Sequence, residues 1–279
     1  MAEFICLIWK VEHGSAAFLR TPNDKTVMFD AGSSEDFSPA YHLAHNYNLN
    51  SENNRLDKLI ISHADNDHIS DLPQIHGLLK PRILYRNKSI PSNILYSERT
   101  EDLKEPLLTY KKMNEEYVHD IAESDKPLPI TNWGNVFIQG FNCAPQHIPD
   151  CPEDKIKNNL SVLSYVRFGD LEIVFPGDLE PMGWDALLGN TSIKDYVGKA
   201  KVRILVASHH GRKSGIRNGE EVYDRFLKIM NPQLVIISDK WGNETTDPEA
   251  YEPYCLGYDV YCYDERKSET AKILTTKTN

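Results

Sequence analysis

The sequence has no Cys-x-x-Cys pair, no long apolar run, no linker rich in proline, glycine or serine, and no long stretch crowded with lysine and arginine. Each absence removes a class of protein. The five cysteines, at 6, 143, 151, 255 and 262, are odd in number and scattered. They read as reduced, mostly buried thiols, not as a disulfide framework or a thiolate zinc site. No apolar stretch approaches the roughly 18 residues that a membrane span needs. The opening segment MAEFICLIWKVEHG has no basic flank and too short an apolar run for a signal peptide. A cytoplasmic protein without membrane attachment is therefore expected. Without a linker, repeat or low-complexity tract, the 279 residues are expected to form a single domain over 1–279. The net charge of -10 repels phosphate backbones, so tight nonspecific binding of long nucleic acid is not the default expectation.

What is present is concentrated chemistry. In LIISHADNDHISDL, residues 59–72, an apolar run stops at Ser62, and His63, Asp65, Asp67 and His68 fall within six positions. With only ten histidines in the chain, composition alone yields such an H-x-D-x-D-H about twice in a thousand chains. The bland reading is a solvated loop in which Asp67 caps the following helix.

The same pattern recurs along the chain. Apolar, β-branched segments predict strands at 4–11, 16–20, 26–29, 59–61, 136–138, 202–207, 234–237, 260–263 and 271–275. Residues 161–168 and 171–175 predict a hairpin around Gly169-Asp170. Helices are expected over 70–80, ending before Pro81, and over 220–230, where Val222, Phe226, Leu227 and Met230 share one side. A charged helical insertion is expected at about 86–130, read as a solvated helix. Four strands end in metal-ligand residue types: Asp30, the 63–68 motif, Asp178, and His209-His210. Open sheets place binding sites beyond the carboxyl ends of their strands, so these ends would converge if they share a sheet.

Two imidazoles and two carboxylates in six residues suit a dinuclear centre. Residues 63 and 65 can point one way from a loop and 67 and 68 another, each pair holding one cation. Zinc takes imidazole nitrogen and carboxylate oxygen at roughly 2.0–2.2 Å. Two cations about 3.5–4 Å apart can clamp the attacking and leaving oxygens of a displacement, and bound water then supplies a hydroxide near neutral pH. A carboxylate such as Asp178 between them would offset their repulsion.

These residues resemble the metallo-β-lactamase superfamily of metal-dependent hydrolases, whose H-x-H-x-D-H motif reads HADNDH here. Asp65 stands where the second histidine usually is. That variant, followed by the Ile-containing step in DHISDL, is most similar to the hydrolase domain of bacterial competence DNA-uptake channel proteins. The likeness covers nearly the whole chain, through VEHGSAAFLRTPNDKTVMFDAG, NNLSVLSYVRFGDLEIVFPGDLE, ILVASHHGRKSG and NPQLVIISDKWGN.

The resemblance implies an α/β fold, a four-layer αββα sandwich with the metal site at one edge. It implies His63 and Asp65 on one divalent cation, Asp67 and His68 on the other, and Asp178 bridging. His210 or His209 would complete the second site. His210 is favoured as the ligand, and His209 as a substrate-contacting or proton-donating group, so that Asp67 and His209 carry catalytic roles. Asp30 would orient a ligand from behind. The superfamily's further histidine ligand is matched only by His147, in a Pro-rich loop, where a surface histidine is the competing reading. His13 replaces a glutamine of the family's opening segment and could sit near the metals, with an ordinary loop histidine as the favoured reading. Arg212 and Lys213, where the subfamily has serine after the glycine, could receive a phosphate, with a solvated loop as the alternative.

The function expected is a dinuclear hydrolase of phosphodiesters, nuclease-like, using two zinc or manganese ions. Replacing histidine by Asp65 makes the donor set harder and more anionic, which suits Mn²⁺ and Mg²⁺ beside Zn²⁺. Given the acidic surface, a short oligonucleotide, a nucleotide or DNA delivered by a protein partner fits better than long duplex. The alternatives are hydrolysis of carboxylic, lactone or phosphorylcholine-type esters, and a metal-binding module without catalysis.

Overall fold

The computed structural model describes residues 3–96, 104–118, 133–239, 244–255, 260–262 and 271–276. In chain order its strands are β1 (Glu3–Ile8), β2 (Ala17–Arg20), β3 (Thr26–Phe29), β4 (Lys58–Ile60), β5 (Ile83–Tyr85), β6 (Val136–Phe141), β7 (Leu163–Phe168), β8 (Leu171–Phe175), β9 (Val202–Val206), β10 (Arg217–Asn218), β11 (Glu221–Val222), β12 (Leu234–Ile237), β13 (Val260–Cys262) and β14 (Ala271–Thr276). The chain packs into two compact units, one formed by 1–86, 96–136 and 270–279, the other by 87–95 and 137–269. Among the described residues no helix is long and apolar enough to cross a membrane.

The first unit is built on a six-stranded sheet in the order β14-β1-β2-β3-β4-β5. β1, β2 and β3 form an antiparallel meander, and β3, β4 and β5 run parallel. Every residue of β3 is buried, as is usual for a strand covered on both faces. Parallel neighbours need a crossover, and the one between β3 and β4 carries the helix Pro39–Asn46. Ser38 caps that helix by accepting from the Tyr41 N–H, and Pro39 occupies its first turn, where a missing N–H costs nothing. The helix expected over 70–80 forms from Leu72–Gln74 into a wider turn, Ile75–Leu79, and stops before Pro81 on Lys80, whose backbone is left-handed.

Two described helices lie in the expected insertion, Ser92–Leu95 and Glu105–Glu116, while residues 97–103 and 119–132 fall outside the described residues. The longer helix is not simply solvated. It buries Leu107, Tyr110 and Met113, spaced three apart on one face, and packs on the helices Asn66–Ile69 and Leu72–Gln74.

The second unit has a six-stranded sheet in the order β13-β12-β9-β8-β7-β6. β7 and β8 form the expected hairpin, with Gly169 taking the positive φ of its turn. β8, β9, β12 and β13 run parallel. Strand residues Tyr165, Val174, Leu205 and Val235 join Trp184, Leu187, Phe226 and Met230 in one buried cluster, in which Trp184 stacks on Phe226 at 4.1 Å. Glu172, fully buried in β8, is satisfied by the N–H groups of Gly198, Lys199 and Ala200 and the Tyr165 hydroxyl. The helix expected over 220–230 begins only at Arg225. Gly219, at φ 63°, turns the chain so that Glu221–Val222 pairs with Arg217–Asn218 instead.

One buried carboxylate joins elements of the first unit. Asp71 accepts from the Ser38 hydroxyl and the Ala40 N–H, both at 2.7 Å, and its own N–H donates to the Ala31 carbonyl at 2.8 Å. Burial pushes its carboxyl up to about 6, and the two hydrogen bonds offset only part of that. A raised carboxyl pKa means that the folded state holds the proton more tightly than the unfolded chain. Stability from this group is therefore present below the unfolded value near 4 and is lost as pH rises through about 6. Asp71→Asn should flatten that segment of the stability–pH curve. Urea unfolding of both proteins between pH 4.5 and 7 checks it, with a difference on the order of 2 kcal/mol across the window. Parallel curves would contradict the assignment.

Candidate metal centre

In the first unit, β3 and β4 end side by side, and their continuations carry the chemistry. Asp30 follows β3 directly with φ 55°, a left-handed conformation that a short polar side chain tolerates. Its N–H donates to Ile60 at the end of β4 (2.8 Å). Its carboxylate then accepts from the Ser62 N–H at 2.7 Å, the Ser62 hydroxyl at 2.9 Å and His68 Nδ1 at 2.8 Å. A carboxylate acceptor places the ring hydrogen on Nδ1 and leaves the Nε2 lone pair of His68 to coordinate. His63 and His68 are buried, with ring centroids 4.1 Å apart.

The loop is held by backbone contacts that only small residues allow. Ser15 N–H donates to the Asp67 carbonyl (3.2 Å), Gly32 N–H to the Ser15 carbonyl (2.8 Å) and Ala31 N–H to the His68 carbonyl (2.7 Å). A Cβ on Gly32 would lie 2.4 Å from the Asp67 carbonyl oxygen, and one on Gly14 would lie 2.8 Å away. The glycine of Asp30-Ala31-Gly32 is thus required by close approach. The helix-cap reading of Asp67 is not taken. Asp65 occupies the cap position and its side chain makes no capping hydrogen bond.

The donor atoms have a telling spacing. His63 Nε2 lies 3.7 Å from Asp65 Oδ2, and His68 Nε2 lies 4.0 Å from Asp67 Oδ2. Both distances exceed a normal hydrogen bond. They lie close to the roughly 3.4 Å that separates two ligand atoms sharing one tetrahedral cation at about 2.1 Å. His13, read as an ordinary loop residue, places Nε2 3.2 Å from Asp67 Oδ2 with about a third of its side chain exposed.

The second unit carries a matching arrangement. Asp178 follows β8 through Pro176-Gly177, and its N–H donates to the Ser161 hydroxyl at 3.2 Å. After β9, His209, His210 and Gly211 take φ values of 49°, 54° and 77° in succession. Each non-glycine left-handed residue costs on the order of 1–2 kcal/mol, so the turn persists only because its surroundings hold it. His209 N–H donates to the Gly177 carbonyl (3.0 Å), the Ser208 hydroxyl donates to the Leu179 carbonyl, and Asp247 N–H donates to the Gly211 carbonyl (2.8 Å). The outcome is that both imidazoles address one carboxylate. His210 Nε2 lies 3.5 Å from Asp178 Oδ1, and His209 Nε2 lies 3.5 Å from Asp178 Oδ2. Asp178 and His210 are 3% and 2% exposed, too buried to be explained as solvated surface groups.

The remaining expected residues divide. Arg212 is partly buried and Lys213 exposed, both directly after the double-histidine turn. His147 is exposed on the turn Pro145–His147, and its Nδ1 accepts from the Ala144 N–H at 3.3 Å. Its ring is turned onto its own loop. Sequence reasoning passed over Ser62, Ser208 and Glu180, although each stands within two residues of a ligand-type residue that it did single out.

The donor set fits divalent cations in each unit. Neutral imidazole nitrogens and carboxylate oxygens are gathered, mostly buried, at ligand–ligand spacing, with Asp67 and His68 in one unit and Asp178 and His210 in the other each offering a ligand atom.

Comparison with known proteins agrees with the resemblance. Residues 9–140 match the family model of the metallo-beta-lactamase superfamily. ComE operon protein 3 of Bacillus subtilis (strain 168) is 23% identical over 253 residues, covering 85% of this chain and 28% of that protein. The chain thus spans little more than a quarter of that relative's length. Among solved structures, a protein from Parabacteroides distasonis assigned as a metal-dependent hydrolase aligns at 15% identity over 92% of each chain, with a TM-score of 0.42. CmlA, a diiron beta-hydroxylase from Streptomyces venezuelae, aligns at 16% identity over 94% of this chain and 48% of its own, with a TM-score of 0.41. The fold class expected from the sequence is the one observed.

Asp30→Asn keeps the size and the left-handed backbone but turns an N–H₂ toward Ser62 or His68. Affinity for Zn²⁺, measured by competition with a chromogenic chelator, should fall on the order of 10–100-fold with little change in melting temperature. An affinity within twofold of the parent would show that the Asp30–His68 bond does not orient a ligand.

Proposed function

We propose that the chain, whose residues 9–140 match the family model of the metallo-beta-lactamase superfamily, is a dinuclear metal-dependent hydrolase of phosphodiesters. The observation that carries the reading is the spacing of imidazole nitrogens and carboxylate oxygens, buried or partly buried, at 3.5–4.0 Å at the ends of β4, β8 and β9. We assign both half-sites to one reaction. His63 and Asp65 would hold one cation, Asp67, His68 and His210 the other, with Asp178 shared. Two such cations, zinc or manganese, would supply Lewis acidity and an activated water.

The protein's own residues do the rest. Asp30 and Ser62 hold the histidine rings, so that no reorganisation is needed when charge develops. Asp67, itself one of these ligands and only partly buried, also orients the attacking water. His209 stands next to Asp178 and, as the imidazolium, gives its Nε2 proton to the leaving oxygen, returning to the neutral ring. Arg212 and Lys213 meet non-bridging phosphoryl oxygens. His147, turned onto its own loop, is not needed by this scheme. Support for a phosphodiester comes from Asp65, which makes the donor set hard, and from the similarity to the competence protein. The net charge of -10 favours short or nucleotide-like substrates, or nucleic acid presented by a protein partner.

Metal-stripped protein refilled in turn with Mn²⁺, Zn²⁺ and Mg²⁺ should hydrolyse bis-p-nitrophenyl phosphate. Asp178→Ala should reduce the turnover by at least about a hundred-fold, more than loss of an outer hydrogen bond costs. Activity that survives chelation, or is unchanged in that variant, defeats the proposal. Turnover of carboxylic esters alone would redirect it to ester hydrolysis. Two bound metals without any turnover would indicate a binding module.

A further inference from the structure

Glu180 carries no role in the scheme above, yet it is a nearly buried carboxylate, 6% exposed, beside the double-histidine turn. A carboxylate in such a place requires partners. Lys155 Nζ donates to its Oε2 at 3.0 Å. Its other oxygen, Oε1, lies 3.5 Å from His209 Nδ1. Ser214 Oγ lies 3.0 Å from the same nitrogen. The opposite ring nitrogen of His209, Nε2, lies 3.5 Å from Asp178 Oδ2. Four side chains therefore stand in a row within the second unit: Lys155, Glu180, His209 and Asp178.

The order of this row decides what the ring can do. A neutral imidazole carries its hydrogen on the nitrogen that meets an acceptor, which leaves the other nitrogen with the lone pair. Each ring nitrogen has a carboxylate oxygen at 3.5 Å, but Nδ1 also has the Ser214 hydroxyl at 3.0 Å, a second group able to accept its hydrogen. The Lys155 ammonium occupies the far oxygen of Glu180, which holds the carboxylate in place and leaves Oε1 to the ring. We propose that Glu180, anchored by Lys155, is a positioning residue for His209: together with the Ser214 hydroxyl it keeps the ring hydrogen on Nδ1, fixes the tautomer, and leaves Nε2 on the Asp178 side as the atom that takes up and gives back a proton. The role of that atom on a substrate rests on the function proposed above; the tautomer does not.

The test reads the ring directly. Full-length, metal-stripped protein labelled with ¹⁵N-histidine gives long-range ¹H–¹⁵N correlations for each ring, and His209→Gln identifies the signal of His209. In the wild type, His209 should be the Nδ1–H tautomer. Glu180→Ala should shift it toward the mixture of a free imidazole, and Glu180→Gln, whose amide oxygen still accepts, should retain it. In Mn²⁺-loaded protein with bis-p-nitrophenyl phosphate, Glu180→Ala should lower kcat at least tenfold with KM within twofold, and Glu180→Gln should recover most of the loss. A wild-type ring protonated on Nε2, or a tautomer unchanged by Glu180→Ala, overturns the proposal. Should Glu180→Ala not fold, the wild-type and Glu180→Gln spectra decide the matter. If the spectra come out as expected but no phosphodiester is turned over, the proposed function fails and the Glu180–His209 pair stands.

Discussion

Three donors converge on the carboxylate of Asp30, and the candidate ligand cluster of the first unit is organised around that convergence. The Ser62 N–H, the Ser62 hydroxyl and the His68 Nδ1 hydrogen all end there. One buried charge thereby fastens the end of β3 to the loop after β4 and fixes the tautomer of a ligand-type histidine. A buried carboxylate is costly unless its oxygens are satisfied, and here the satisfying groups are the ones that need orienting. The neighbouring glycines follow from the same constraint, since the Asp67 backbone passes too close to residues 14 and 32 for any Cβ.

The second unit reaches a similar end by another device. Successive left-handed residues at 209, 210 and 211 are unfavourable in isolation. Bonds to Gly177, Leu179 and Asp247 hold the turn and bring two imidazoles onto one carboxylate. Strain at this point aims side chains that a regular strand or helix would send in different directions. Glu180 and Ser214 then differentiate the two rings, because Nδ1 of His209 meets both, whereas Nδ1 of His210 faces the Ser238 hydroxyl at 3.5 Å.

Charge explains why such a centre can sit in an acidic protein. Neighbouring carboxylates such as Asp65 and Asp67 are mutually repulsive without cations, and divalent ions would turn that repulsion into affinity. The same acidity that favours hard cations discourages long polyanions. Under the proposed function, substrates would be small or presented by another molecule, and the basic pair at 212 and 213 is the local exception beside the double-histidine turn.

Much of this was legible in the sequence. The ligand-type residues declare themselves by density, HADNDH after an apolar strand and His-His-Gly after another, and most strands were visible as β-branched runs. The insertion's helix was visible too, but its packed face was not, because Leu107, Tyr110 and Met113 are sparse among charges. The 220–230 helix was misplaced at its start because its periodicity is blind to the pairing of 221–222 with 217–218. His13 and His147 show the limit most clearly. Each is a lone histidine in a loop, and neither spacing nor composition tells which approaches a carboxylate and which folds back on its own turn. Residue identity and local periodicity determined the chemistry available and the strands that carry it. Backbone conformation and long-range hydrogen bonding decided which atoms meet, since those depend on where distant segments end, and Glu180 beside His209 was invisible until the chain had folded.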